Sequence, residues 1–130
     1  MEIGSPCQDP VDPSDREVAG ALDVLAALAQ PSRLAAFRLL VRHEPEGLPA
    51  GGIAHRLGVP QNTLSTHLAI LARSGLVRAT RRSRSIIYRA DLSVLRGLVL
   101  FLVRDCCGGA PDVCAPLLAD LAACRPASET

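Results

Sequence analysis

The stretch VPQNTLSTHLAILARSGLV, residues 59–77, decides the fold of this 130-residue chain. Its leucines recur at the spacing of one helix face and are Leu64, Leu68 and Leu71. We therefore expect a helix over residues 61–73 that Gly75 stops. Small polar residues open this helix and supply hydrogen-bonding groups in its first turns.

A shorter helix is predicted just before this stretch. Residues 50–57 place Ile53 and Leu57 toward the core, and Gly58 is the expected C-terminal cap. Val59 and Pro60 then form the turn. Two helices joined by a tight glycine-containing turn, the second opening with small polar residues, are typical of a helix-turn-helix.

The apolar period changes from 3.6 to about 2 residues after the second helix. Two alternating segments, 76–80 and 85–89, enclose the basic run Arg81-Arg82-Ser83-Arg84. This pattern predicts a β-hairpin with a basic tip.

A further helix is predicted after the hairpin, with Asp91 as its N-terminal cap. It carries two apolar stripes, one of Leu92, Leu95, Val99 and Leu102, the other of Val94, Leu98 and Phe101. A helix that is apolar on two faces needs two partners. We expect one stripe to cover its own domain and the other, which Cys106 continues, to pair with a second copy of the chain.

The N-terminal third adds an arm and two helices. Residues 1–13 are rich in proline and acids and predict a disordered arm. Ser14 and Glu17 form a capping box before the first helix, and Pro31 starts the second, which ends near His43. The pattern predicts a mainly α fold with a β-hairpin wing. This winged helix-turn-helix covers residues 14–105, and residues 106–130 form a C-terminal segment and tail.

Charge is distributed unevenly, although the formal net charge is only +1. The first 30 residues hold six acids and one Arg, residues 31–90 hold ten Arg and two Glu, and residues 91–130 hold three Arg and five acids. The middle segment therefore has a net charge of +8, and its local field attracts polyanions such as nucleic acids. Aromatic residues make up only 2% of the chain, so stacking on bases is not the expected mode of recognition.

No membrane partner and no export are expected. The apolar run over residues 98–103 is far shorter than the roughly 20 residues that a membrane span requires. The N-terminus carries acids and prolines without a basic cluster, which does not fit a secretory signal peptide. We therefore expect a cytoplasmic protein.

Two segments resemble the ArsR/SmtB family of bacterial winged-helix repressors. Residues 28–34, LAQPSRL, continued through Leu39-Leu40, are similar to the second-helix signature of that family. Residues 59–77 are similar to its recognition helix, most specifically at Ser65, His67, Leu68 and Gly75-Leu76-Val77. The resemblance covers about residues 15–107. The resemblance implies a homodimer that represses its operator and releases the operator on binding a metal ion, a metalloid or another inducer. We expect the homodimer to form through the first and fifth helices.

Double-stranded operator DNA is the expected partner of the helix-turn-helix. Side chains on the first turns of a recognition helix bond base edges in the major groove. Those available here are Gln61, Asn62, Thr63, Ser65 and Thr66, with His67 ranked below them because a histidine is more often packed or bonded to the backbone. The alternative for Gln61 and Asn62 is a capping role.

The wing is expected to add contacts of a second kind. Arg81, Arg82 and Arg84 would reach phosphates or the minor groove, with a salt-dependent and weakly sequence-specific contribution. The alternative is a solvated basic turn. A symmetric dimer predicts two half-sites about one helical turn apart.

Five cysteines in a chain expected to be cytoplasmic favour metal binding or redox chemistry over structural disulfides. Cys106 and Cys107 are adjacent, and Cys114 follows a glycine- and proline-containing segment that can fold back. Three thiolates favour a soft ion. Trivalent arsenic or antimony, which takes three sulfurs, suits them better than zinc, which prefers four ligands. Cys7 and Cys124 stay outside this set.

The resemblance sharpens the cysteine hypothesis. Arsenic sensors of the family often place cysteine pairs in the third helix, where this chain has Pro49 and Gly51. Zinc sensors place Asp and His ligands along the fifth helix, which has no His here. Residues 105–114, DCCGGAPDVC, resemble the alternative arsenite site at the end of the fifth helix in some members. The expected inducer is As(III) or Sb(III), with no organic cofactor.

Two alternatives stay open for the cysteines. They could form a redox switch in a repressor of the same fold, or they could be inert thiols. An enzyme is not expected, because a thiol enzyme needs a low-pKa cysteine near an anion-binding loop or a C-x-x-C pair, and the sequence has neither. The sequence leaves open whether the inducer is arsenite, methylated trivalent arsenic or antimonite, and which operator is bound.

Overall fold

The computed structural model describes residues 15–107, 115–116 and 119–120, with the backbone alone at residues 104–107. Its elements in chain order are α1 (Asp15–Leu28), α2 (Pro31–Arg42), β1 (Leu48–Pro49), α3 (Ala50–Leu57), α4 (Gln61–Arg73), β2 (Val77–Arg82), β3 (Ser85–Ala90) and α5 (Leu92–Cys107). The chain divides after Leu98 into two compact units, the larger of which holds α1 to β3 and the first part of α5.

The helix boundaries follow local chemistry. Pro31 occupies the first turn of α2, and the Gln30 side chain accepts a hydrogen bond from the Arg33 amide at 2.9 Å. α3 and α4 have the bounds that the sequence predicts, and Gly58 ends α3 in the left-handed region with φ +68°. The predicted capping box before α1 involves Ser14, which lies outside the described residues.

The sheet contains one strand that the sequence did not predict. β2 and β3 form the expected hairpin, and β1 adds a third antiparallel strand on the other edge of β3. Two strand residues, one of them Pro49, show no alternation from which a strand could be predicted. Leu48 lies opposite Tyr88 in this pairing.

The core is aliphatic, with Phe37 as its one buried aromatic ring among the described residues. No polar or charged side chain in the described part of the chain is buried. The buried residues are Val24, Ala27, Ala36, Phe37, Leu39, Leu40, Ile53, Ala54, Leu64, Leu68, Leu71, Leu76, Val77, Ala90 and Leu98. The three leucines of α4 that decided the fold are at most 1% exposed, so the recognition-helix pattern also supplies the centre of the core.

α1 has apolar side chains on two sides. Val24 and Ala27 are buried in the core, whereas Leu22 and Leu25 are 58% and 38% exposed. Leu22 and Leu25 therefore form an apolar surface on α1 that the core does not cover.

The first part of α5 packs on the same core. Leu98 is buried and Val94 packs against the core, as expected for the stripe that covers its own domain. Leu95 also packs there, although the sequence grouped it with Leu92, which is 44% exposed. At the start of α5, residues of both apolar stripes therefore pack on the same core, whereas the sequence assigned only one stripe to it.

No single helix in the described part of the chain is long and apolar enough to span a membrane. α1 and α2 reach that length only together, and their axes meet at 97°.

Candidate nucleic-acid interface

α4 packs against the core through one face and exposes the other. The polar residues predicted to contact bases are all exposed, and they are Gln61, Asn62, Thr63, Ser65 and Thr66. Pro60 is the N-terminal cap of α4 and makes no side-chain capping hydrogen bond. Gln61 and Asn62 are the first two residues inside the helix, and the Asn62 side chain satisfies an amide of the first turn, which agrees with the capping alternative for that residue.

Some polar groups on this face form hydrogen bonds within α4. Asn62 Oδ1 accepts a hydrogen bond from the Thr63 amide at 3.0 Å, and the Thr66 hydroxyl donates to the Asn62 carbonyl at 3.5 Å. Within the described residues, the side chains of Gln61 and Ser65 make no hydrogen bond. These two side chains retain their full capacity for an external partner.

His67 lies in an intramolecular contact. Its ring is half-buried, and its Nδ1 is 3.4 Å from Arg33 Nη1. The same guanidinium donates from Nε to the Ala27 carbonyl at 2.6 Å and from Nη2 to the Ala26 carbonyl at 3.4 Å. Arg33 therefore connects two carbonyls at the end of α1 with the middle of α4, and it orients α4 relative to the helices that carry it.

The wing presents three cations. Arg81 and Arg82 end β2, Arg84 lies in the turn, and all three are exposed. Ser83 makes this tight turn with φ 58°. None of the three arginine side chains has a hydrogen bond or an ion pair within the described residues, so their guanidinium groups are available for phosphates.

Two ion pairs hold the base of the wing. Arg78 Nε donates to Asp91 Oδ2 at 2.7 Å, and Arg89 Nη2 donates to Glu44 Oε1 at 2.7 Å. The hydrogen bond with Glu44 and the charge of that carboxylate raise the pKa of Arg89 above its ordinary value. The first pair joins β2 to the start of α5, and the second joins β3 to the segment before β1.

Sequence analysis missed Arg33, Arg78 and Arg89 as positioning residues. Their side-chain partners are 34, 13 and 45 residues away along the chain. A local pattern carries no signal for such contacts, because they exist only after the helices and the hairpin have packed.

The predicted cysteine site cannot be built from the described residues. Cys106 and Cys107 are the last two residues of α5, and only their backbones are described. Cys114 lies outside the described residues, as do Cys7 and Cys124. Within the ranges that the structure covers, no group of three or more His, Cys, Asp or Glu side chains is arranged to hold a metal ion. The three-cysteine set therefore stays a prediction.

The chain is similar to known helix-turn-helix proteins that regulate transcription. Residues 28–79 match a helix-turn-helix domain family. The chain is 35% identical over 77 residues to the nodulation protein NolR of Rhizobium meliloti, a match that covers 59% of each protein. It is 30% identical over 93 residues to the transcriptional activator HlyU of Vibrio cholerae, which covers 72% of this chain and 83% of HlyU.

Solved structures agree with these matches. An ArsR-like transcriptional regulator from Rhodococcus sp. RHA1 superimposes with a TM-score of 0.61 at 28% identity, over 81% of this chain and 94% of that one. The homodimeric winged helix-turn-helix DNA-binding domain of Mb0332 from Mycobacterium bovis superimposes with a TM-score of 0.57 at 31% identity, over 72% of this chain and 87% of that domain.

The chain belongs to the ArsR family. Membership in this family makes it a winged-helix transcriptional regulator rather than an enzyme. Another structural relative is the antimony-specific transcriptional repressor AntR, with a TM-score of 0.59 at 29% identity over 79% of this ArsR-family chain and 92% of AntR. HlyU is described as an activator and AntR as a repressor, so membership alone leaves the direction of regulation open.

Proposed function

We propose that this ArsR-family protein is a repressor that binds operator DNA as a homodimer and releases it when trivalent arsenic or antimony binds Cys106, Cys107 and Cys114. The observation that carries the proposal is the exposed polar face of α4 beside a wing with three exposed arginines that have no partner among the residues the structure describes. As a DNA-bound regulator, it would act in the cytoplasm.

The two parts of the interface have different tasks. Gln61 and Ser65, with their free hydrogen-bonding groups, are suited to base edges in the major groove. Arg81, Arg82 and Arg84 are suited to phosphates, which fix the position of the protein without specifying sequence. The net charge of +8 over residues 31–90 supports this division, because that segment contains both α4 and the wing.

Dimerisation is supported by apolar surface that is exposed on the described part of the chain. Leu22 and Leu25 on α1 and Leu92 on α5 are each at least 38% exposed. Exposed leucines at helical spacing are typical of faces that a second subunit covers. The related Mb0332 domain is homodimeric, which supports dimerisation.

Three thiolates fit a trivalent, thiophilic ion because arsenic and antimony in this state take three sulfur ligands. Cys106 and Cys107 are both within α5, and neighbouring residues on an α-helix point about 100° apart. For both thiols to meet at one centre, the last turn of α5 has to change conformation. A coupling of about 1–3 kcal/mol between this change and the DNA-bound state is sufficient to release an operator.

The test begins with DNA duplexes recovered by the reduced wild-type protein from a random-sequence pool. Binding of a recovered duplex is followed by fluorescence anisotropy while As(III) or Sb(III) is added, and free thiols are counted in parallel. We expect release of the duplex with the loss of three thiols per chain. Cys106→Ser and Cys114→Ser should bind DNA normally but resist release, while Cys124→Ser, the matched control, should respond as the wild type does.

Two results would contradict the proposal. Full release by As(III) in Cys106→Ser would remove this cysteine from the site. Release by an oxidant, reversed by a reductant that does not chelate arsenic, with no response to As(III) or Sb(III), would favour the redox-responsive alternative.

A further inference from the structure

Ile86 is the apolar side chain nearest to the tip of the wing. It lies opposite Arg81 in the hairpin, and residues opposite each other have side chains on the same face. Toward the base of the hairpin, the same face ends at Val77 and Ala90, which are 2% and 6% exposed. Ile86 itself is 44% exposed. The alternating pattern assigns it to the core face, but the hairpin extends beyond the core at this point.

The surroundings of Ile86 are cationic. Arg81 is its cross-strand neighbour, and Arg82 and Arg84 flank the same turn, all without a carboxylate partner in the described part of the chain. A partner that fits this patch needs dense negative charge with apolar surface directly beside it. The minor groove of DNA offers both, because phosphates line its rims and deoxyribose rings form its walls.

We infer that Ile86 is an apolar DNA contact of the wing, which packs against deoxyribose in the minor groove while the neighbouring arginines bind the phosphates. The inference rests on the proposed DNA binding and adds a contact of a different physical kind. Apolar side chains that enter the minor groove are a known means of DNA recognition. The hairpin follows α4 directly along the chain, and the arginines at its tip are the residues predicted to reach phosphates or the minor groove.

The two kinds of contact differ in their response to salt. A contact between an arginine and a phosphate releases counterions, so its loss lowers the steepness with which affinity falls with salt. An apolar contact releases none. Removing Ile86 should therefore weaken binding by the same factor at every salt concentration.

The test compares Ile86→Thr with Ile86→Val on a duplex recovered by the wild-type protein, between 50 and 200 mM salt. Both variants keep a β-branched side chain suited to a strand, so the wing should fold in each, which thermal melting checks. We expect Ile86→Thr to bind about 3- to 10-fold more weakly with an unchanged salt slope, and Ile86→Val to lose less than about 3-fold. Arg82→Gln should lower the slope by about 2, because each subunit of the dimer loses one phosphate contact. Leu34→Ala on α2, where Leu34 is 42% exposed, is the matched control and should bind as the wild type does.

Each other outcome overturns the inference. If Arg82→Gln weakens binding and Ile86→Thr does not, DNA binding stands and the apolar contact is wrong. If Ile86→Thr instead lowers affinity only for anionic phosphatidylglycerol vesicles, the patch binds a lipid surface and the contact with DNA is wrong. If the wild-type protein recovers no duplex at all, the proposed function fails together with the inference.

Discussion

Asp91 accepts a hydrogen bond from Arg78 Nε at 2.7 Å, and this contact joins β2 of the wing to the start of α5. The other carboxylate oxygen of Asp91 accepts from the Ser93 amide at 3.0 Å and from the Ser93 hydroxyl at 2.6 Å. One side chain therefore caps α5 and anchors the wing. The hydrogen bond from Ser93, followed by that from Arg78, lowers the pKa of Asp91 from 3.8 to about 2.

Asp91→Ala should destabilise the fold by about 1–2 kcal/mol, mainly through loss of the N-terminal cap, because the partner Arg78 is largely exposed. Asp91→Asn should cost less, since an asparagine oxygen caps a helix nearly as well as a carboxylate. Urea unfolding at neutral pH measures both. Equal stability of Asp91→Ala and the wild type would show that the cap contributes nothing.

The same carboxylate predicts a dependence of stability on pH. Because its pKa is lower in the folded state than the ordinary 3.8, its contribution is present above about pH 4 and is lost as the pH falls toward 2. The difference in unfolding free energy between the wild type and Asp91→Asn should therefore shrink over this interval. A difference that stays constant from pH 6 to pH 2.5 would contradict the role assigned to Asp91.

Two glycines with positive φ should respond differently to alanine. Gly58 has φ +68° with open space around it, so Gly58→Ala should cost only the strain of the left-handed backbone, about 1 kcal/mol. Gly47 has φ +75°, and a Cβ atom there would lie 2.5 Å from the Tyr88 carbonyl oxygen. Gly47→Ala should therefore be clearly more destabilising in urea unfolding, and equal losses would mean that the approach of Gly47 to β3 is not tight.

Arg33→Lys tests the connection between α1 and α4. A lysine has one charged nitrogen and cannot reproduce the three separate contacts of the guanidinium, so we expect a loss of about 1–3 kcal/mol in unfolding free energy. Arg38→Lys is the matched control on the same helix, because Arg38 is exposed and makes no side-chain hydrogen bond within the described residues. If both substitutions are neutral, Arg33 does not position α4.

Substitutions on α4 should affect specificity rather than overall attraction to DNA. Gln61→Ala and Ser65→Ala should weaken binding to a recovered duplex by about 1–3 kcal/mol each and leave binding to unrelated duplexes unchanged. Arg84→Gln should weaken both alike, because phosphate contacts carry no sequence information. Ala72→Ser, on an exposed position near the end of α4, is the control. Equal effects of Gln61→Ala on both duplexes would argue against a base contact.

The local pattern of the sequence determined most of the secondary structure. Helix periodicity in α4 and the change of period after Gly75 are properties of neighbouring residues, and they placed α3, α4 and the hairpin correctly. β1 was not predicted, because it has two residues, one of them a proline, and forms only through its pairing with β3. The exposed polar residues of α4 were predictable for the same reason as the helix itself, since the buried leucines set which face remains outside.

Packing decided the rest. The contacts of Arg33 with α1 and His67, the ion pairs at the base of the wing, and the exposure of Ile86 all depend on where separate elements meet or where the core ends. The alternation in β3 assigns Ile86 to the same face as Ala90, but it carries no information on how far the hairpin projects. The sequence by itself determined the helices, the hairpin and the helix-turn-helix, because these depend on residues a few positions apart. Only the tertiary structure decided which arginines have side-chain partners among the described residues and which have none, because those partners are far apart along the chain.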